Sequence, residues 1–178
     1  MSRAVFTAGH SNRAADELLE LLHQAGVTRV VDVRRHPVSR RFPQHGRERL
    51  RASLEAAGIA YEFLGDLLGG RLEPETGPEA SANAAWRDPA LRAYADALDS
   101  PQVLAGLARL EELADERPSA VLCAERDWRD CHRQIIADAL TVRGWPVVHL
   151  VRPGEREPHA LHPRARVVDG HLRYPTLV

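Results

Sequence analysis

A chain of 178 residues, 44% hydrophobic and 28% charged with a formal net charge of −1, carries enough apolar material for one ordinary core and too little net charge to stay unfolded by self-repulsion. Its apolar runs are short and interrupted, which excludes a membrane-spanning segment of about 20 apolar residues. The opening MSRAVFTAGHSN lacks the apolar stretch and cleavage site of a secretory signal, and two cysteines allow at most one internal disulfide. The expectation is one soluble domain over residues 1–178, in a reducing cytoplasm, with no membrane association. All 24 basic residues are arginine, so their number alone says little. Their placement says more: Arg29 to Arg51 holds eight arginines against Asp32 and Glu48, an excess of six positive charges that suits an anionic ligand or, more plainly, a solvated helix face.

Ala4 to Ala8 reads as a strand. Ser11 is placed to cap a helix running to about Ala25, with Leu18, Leu19, Leu21 and Leu22 inward and Gly26 at its end. Arg29 to Val33 reads as a strand, Arg47 to Ala57 as a helix closed by Gly58, and Ile59 to Leu64 as a third strand. Gly65 to Pro89 is rich in Gly, Pro and Glu and reads as a long loop of the kind that covers sites. Helices follow over Pro89 to Leu98 and Pro101 to Ala114, then a strand at Ala120 to Cys123, a helix from Cys131 to Arg143 and a strand at Val147 to Val151. A final hairpin, Arg166 to Val168 and Leu172 to Tyr174, turns through Asp169-Gly170. The alternation predicts a Rossmann-like three-layer α/β fold, with a mainly parallel sheet flanked by helices on both faces.

In such sheets ligands bind beyond the carboxyl ends of the strands. The residues just past the expected strand ends are Gly9-His10-Ser11, Asp32 with Arg34 to Arg41, Gly65-Asp66, Cys123 to His132, and Arg152. His149, inside the last strand, is expected to face the core. Backbone amides at Gly9 and Ser11 could receive an anion at a helix start, and the Arg34, Arg40, Arg41 and Arg133 guanidiniums could bind phosphate in a fork, with Asp32 and Ser39 orienting them. Cys131, expected in the first turn of its helix beside Arg129 and Arg133, is the candidate thiolate nucleophile. Glu125, His10 and His132 are its candidate acid–base partners, and Cys123 is expected as a small buried support.

Three sharper motifs fail in part. Cys123-Ala124-Glu125 copies the start of a zinc deaminase signature, whose second Cys pair is absent. Zinc held by Cys123, Cys131, His132 and His10 would need adjacent ligands at an unusual spacing, so no metal or other cofactor is expected. Cys123 and Arg129 have a cysteine-phosphatase spacing, but Glu125 and Asp127 would repel the phosphate.

The set Thr7-Ala8-Gly9-His10-Ser11, Asp32-Val33-Arg34, Pro37-x-Ser39-Arg40, Phe42, Cys123-Ala124-Glu125, Cys131-His132-Arg133 and Val148-His149-Leu150 resembles the bacterial domain of unknown function 488 family, with Ala8 where that family usually has Ile. The resemblance implies a small cytoplasmic α/β protein and leaves the reaction open. The leading expectation is an enzyme, a hydrolase or transferase, acting on a nucleotide, nucleic acid or other phosphate-bearing partner. The alternatives are a non-catalytic nucleic-acid-binding module gripping the backbone with Arg29 to Arg51, a metal-assisted hydrolase, and a thiol-redox protein cycling Cys123 and Cys131. Trp86 and Trp128 are the rings expected at the surface for stacking on bases.

Overall fold

The computed structural model describes residues 3–177. Its centre is a six-stranded sheet: β1 (Val5–Gly9), β2 (Arg29–Asp32), β3 (Ala60–Phe63), β4 (Ser119–Cys123), β5 (Val147–Arg152) and β6 (Glu155–Pro158), in the order β3-β2-β4-β1-β5-β6. The first five are parallel, and β6 pairs antiparallel with β5. The strands β7 (Arg166–Val168) and β8 (His171–Arg173) form a separate hairpin. Its turn takes left-handed φ at Asp169 (51°) and Gly170 (81°), as a tight two-residue hairpin requires.

Strand side chains alternate between two cores. Ala8, Val30, Ala120, Leu122 and Leu150 face α1 (Ala15–Gln24) and α2 (Arg47–Ala56) through Leu18, Leu21, Leu22, Leu50 and Leu54. Val5, Val31, Val121, Cys123 and Val147 face the other layer, formed by α3 (Gly65–Leu68), α4 (Pro89–Asp96), α5 (Pro101–Glu116) and α6 (Arg133–Val142). This is the three-layer α/β arrangement that the strand–helix alternation requires. Among the described residues no helix is long and apolar enough to cross a membrane.

Three expectations need correction, and one strand was not foreseen. Ser11 does not cap α1: the Arg13 N–H bonds back to the His10 carbonyl, Ser11 is held at φ 45°, and the helix starts only at Ala15 with Ala14 ahead of it. Gly65 to Pro89 contains α3 and a 3-10 turn at Pro78–Ala80. A four-residue helix is too short to show periodicity, although its Leu68 is fully buried. Edge strand β6 was invisible because Glu-Arg-Glu-Pro has no apolar face, the composition an exposed sheet edge favours. Trp86 and Trp128 are both buried rather than offered to solvent.

The sheet order fixes where a ligand would sit. From β1 the chain crosses to β2 by α1 on one face, while from β4 it crosses to β5 by α6 on the other. The connections therefore part between the carboxyl ends of neighbouring strands β1 and β4, where Gly9 pairs with Cys123.

Candidate functional site

A crevice of about 680 Å³ opens at that point. His10 and Ser11 line it from β1, Arg34 to Phe42 from beyond β2, Gly70, Arg71 and Asp88 from the long loop, and Cys123 to Glu125 with Asp130 to His132 from beyond β4.

On its floor lie both cysteines, free and buried, at 2% and 7% exposure, with their sulfurs 3.0 Å apart. Arg133, 1% exposed, clamps the pair. Its Nε donates to Cys123 Sγ at 3.0 Å and to Cys131 Sγ at 3.4 Å, its Nη1 donates to Thr7 Oγ1, and its Nη2 donates to the Glu125 and Arg126 carbonyls. Arg133 is therefore the counter-ion of the thiols, and its forks are filled by protein rather than left for a substrate phosphate.

The two thiols divide one negative charge unequally. Burial alone would raise the Cys123 thiol, but the hydrogen bond with Cys131, the Arg133 charge and the Glu125 contact together bring it down to about 6. Burial raises Cys131 well above its ordinary value, and the neighbouring Cys123 raises it further. Cys131 does not sit in a helical first turn: it is extended, φ −142° and ψ 174°, ahead of His132, and α6 begins at Arg133. The thiolate is favoured at Cys123, with Cys131 keeping the proton.

The other candidates are less free than their chemistry suggests. The His10 N–H donates to the Cys123 carbonyl and the Ser11 N–H to the Ala124 carbonyl, so these amides extend the strand pairing and are closed to an anion. Gly9 is there for space: a Cβ on it would stand 1.7 Å from the Glu125 carbonyl oxygen. Asp32 grips Arg34 through both carboxylate oxygens and also accepts from Tyr61, while Arg34 Nη1 donates to the His45 carbonyl and His10 Nε2. His10 Nδ1 then donates to the Ser11 carbonyl, and burial with the Arg34 charge lowers its pKa to about 4. His132 is held between Gly70 and the Val33 carbonyl, to which its Nε2 donates, and burial lowers it to about 4 as well. Neither imidazole is a ready base. Among the described residues no group of three or more His, Cys, Asp or Glu is arranged to hold a metal ion.

Ser39 accepts from the Phe42 N–H and shapes the loop carrying Arg40 and Arg41 to the rim. Within the described residues Arg40, Arg41 and Arg71 make no hydrogen bond or ion pair, and Arg41 lies over the Phe42 ring at 5.6 Å. Arg35 spends Nε and Nη2 on the Gly70 and Gly69 carbonyls. Glu125 lies exposed at the mouth and holds the floor only through its backbone.

A second constellation was missed beyond the expectation that His149 faces inward. Thr7 Oγ1 meets His149 Nδ1 at 2.6 Å, His149 Nε2 meets His159 Nδ1 at 2.8 Å, and His159 Nε2 meets Asp138 Oδ1 at 2.7 Å. Tyr174 donates to Asp138 Oδ2 at 2.7 Å, and Trp128 stacks on His149 at 4.0 Å. The polar atoms are satisfied if each donates in turn from Arg133 through Thr7, His149 and His159 to the Asp138 carboxylate. This line ties the clamp under the thiols to α6 and the C-terminal segment. Arg71 on the rim was also missed; only its place after Gly69-Gly70 in the covering loop pointed to it.

The family model described as domain of unknown function DUF488 matches residues 14–140. The chain belongs to that family. The DUF488 match contains Asp32-Val33-Arg34, Ser39-Arg40, Cys123-Ala124-Glu125 and Cys131-His132-Arg133, and leaves Gly9-His10-Ser11 and Val148-His149-Leu150 outside its span. No curated protein matches the chain. No solved structure matches it either.

Proposed function

We propose that this DUF488 protein is an enzyme of the hydrolase or transferase type that binds a phosphate-bearing substrate, a nucleotide or a nucleic-acid end, in the crevice and attacks it with the Cys123 thiolate. The carrying observation is the thiol pair clamped by Arg133 on the floor beneath a rim where, among the described residues, Arg40, Arg41 and Arg71 make no hydrogen bond or ion pair. Guanidiniums that face a crevice without a protein acceptor are suited to a multiply charged oxyanion. A thiolate paired with a buried cation is a nucleophile at neutral pH. Glu125, next to Cys123 and Ala124 in the lining, is the side chain placed to move a proton at the mouth: His10 has both ring nitrogens bonded to protein groups, and burial holds His132 neutral with its Nε2 on the Val33 carbonyl.

The experiment separates binding from chemistry. Nucleoside phosphates, sugar phosphates and short oligonucleotides are screened for turnover and for thermal stabilisation with the wild type, Cys123→Ser and Arg40→Ala/Arg41→Ala. Turnover lost in Cys123→Ser with stabilisation kept, and stabilisation lost in the double arginine variant, is the expected pattern. Binding that survives in the double variant contradicts the rim. Turnover that survives in Cys123→Ser contradicts the nucleophile, and stabilisation of the wild type without any turnover leaves the protein as a binding module.

A further inference from the structure

The same floor carries a reaction that needs no phosphate. Two free thiols 3.0 Å apart line an open crevice, so a small molecule entering it meets both sulfurs together. A disulfide bond is about 2.05 Å long, and closing this gap takes an approach of about 1 Å. Cys123 ends β4, Cys131 stands extended before α6, and only a short loop with a 3-10 turn at Trp128–Asp130 lies between them. Arg133 Nε donates to both sulfurs, so it can follow negative charge from one to the other. Thr7 and the two carbonyls holding Nη1 and Nη2 keep it in place meanwhile.

We propose that the Cys123–Cys131 pair is a hydroperoxide-reactive site that closes to an internal disulfide, so that the crevice holds a nucleophile only in the reduced protein. The Cys123 thiolate attacks the terminal oxygen of a hydroperoxide; an S–O bond forms, the O–O bond breaks, and the departing alkoxide takes the proton held by Cys131, leaving as an alcohol. Cys131, now a thiolate, attacks the Cys123 sulfenic acid; the S–S bond forms and hydroxide leaves. Two thiol sulfurs are oxidised, one peroxide is reduced to alcohol and hydroxide, and the total charge is unchanged. The lowered Cys123 thiol and the raised Cys131 thiol match the order of attack. The inference rests on the sulfur pair alone and stands whether or not the crevice binds phosphate.

The full chain, reduced and freed of reductant, is treated with stoichiometric tert-butyl hydroperoxide, then unfolded and alkylated for intact-mass analysis. The expected result is loss of both alkylatable thiols from a monomeric chain lighter by two hydrogens, with both restored by dithiothreitol. In Cys131→Ser, dimedone should trap a sulfenic acid on Cys123; in Cys123→Ser the peroxide should leave Cys131 alkylatable. Thiols that stay alkylatable under excess peroxide overturn the proposal, as do oxygen addition to Cys123 without bridging in the wild type and a disulfide between two chains. The wild-type readouts decide even if a variant fails to fold.

Discussion

Replacing Gly9 by Ala tests how tightly the floor of the crevice is built. Gly9 takes no left-handed φ, so backbone strain is not the issue; space is. The new methyl would stand 1.7 Å from the Glu125 carbonyl oxygen, 2.6 Å from its carbon and 2.9 Å from Arg133 Nη2. Comfortable contact lies near 3.5–4.0 Å, so the Glu125 backbone must retreat by about 2 Å. Forcing a group into a packed site costs about 1–3 kcal/mol. The retreat also breaks a hydrogen bond from a charged donor, Arg133 Nη2 to the Glu125 carbonyl, worth about 1.5–3 kcal/mol. Alanine returns about 0.5–1 kcal/mol through its stiffer unfolded chain. The expected net loss is about 2–5 kcal/mol, or roughly 4–20 °C in Tm for a domain of this size. Urea denaturation gives the energy, and alkylation of the native protein gives the state of Cys123. Gly46→Ala is the control, with φ −60° and its nearest neighbour at 3.3 Å. A Gly9→Ala protein as stable as that control, with unchanged thiol reactivity, would refute the packing argument.

Stability should also fall in mild acid. His10 and His132 are buried with pKa values near 4, and burial beside His159 and Arg133 lowers His149 further. The unfolded chain binds protons at these histidines from about pH 6.5, where the folded chain does not, so stability drops as pH falls from there toward 4 and is unaffected above it. Denaturation at pH 6 and pH 5 should differ by about 2–4 kcal/mol, and equal stabilities would contradict the buried neutral state. Tyr174→Phe removes one donor from buried Asp138 and should cost about 1–3 kcal/mol by denaturant melt; a neutral result would mean that water or another donor reaches the carboxylate. If a nucleic acid binds, Arg40→Ala/Arg41→Ala should lower the slope of log affinity against log salt by about 1.4–1.8 as two phosphate contacts go. An unchanged slope would place the contacts elsewhere.

The sequence carried the layers and the edge where chemistry collects, because strand–helix alternation and short apolar runs report directly on a parallel sheet. Arg29–Asp32, Arg47–Ala56 and the first hairpin strand fell where periodicity and turn residues put them. Roles within the edge were less legible. Cys131 reads as the thiolate only if α6 begins at it; the helix begins two residues later, and burial beside Cys123 raises the Cys131 thiol. Arg34 and Arg133 read as phosphate forks, yet partners far along the chain, such as His45 and Thr7, take up their hydrogens. The line from Thr7 to Tyr174 joins residues from positions 7, 149, 159, 138 and 174, and no local pattern announces such a set.

The most direct test of the central claim is site-resolved alkylation of the two cysteines as a function of pH, read by peptide mass after brief iodoacetamide pulses on the native, reduced protein. The account predicts that Cys123 reacts first, with a midpoint near 6, and that Cys131 stays protonated well into alkaline pH. Preferential labelling of Cys131, or both thiols titrating together near the ordinary value of about 8.5, would contradict a Cys123 thiolate held by Arg133.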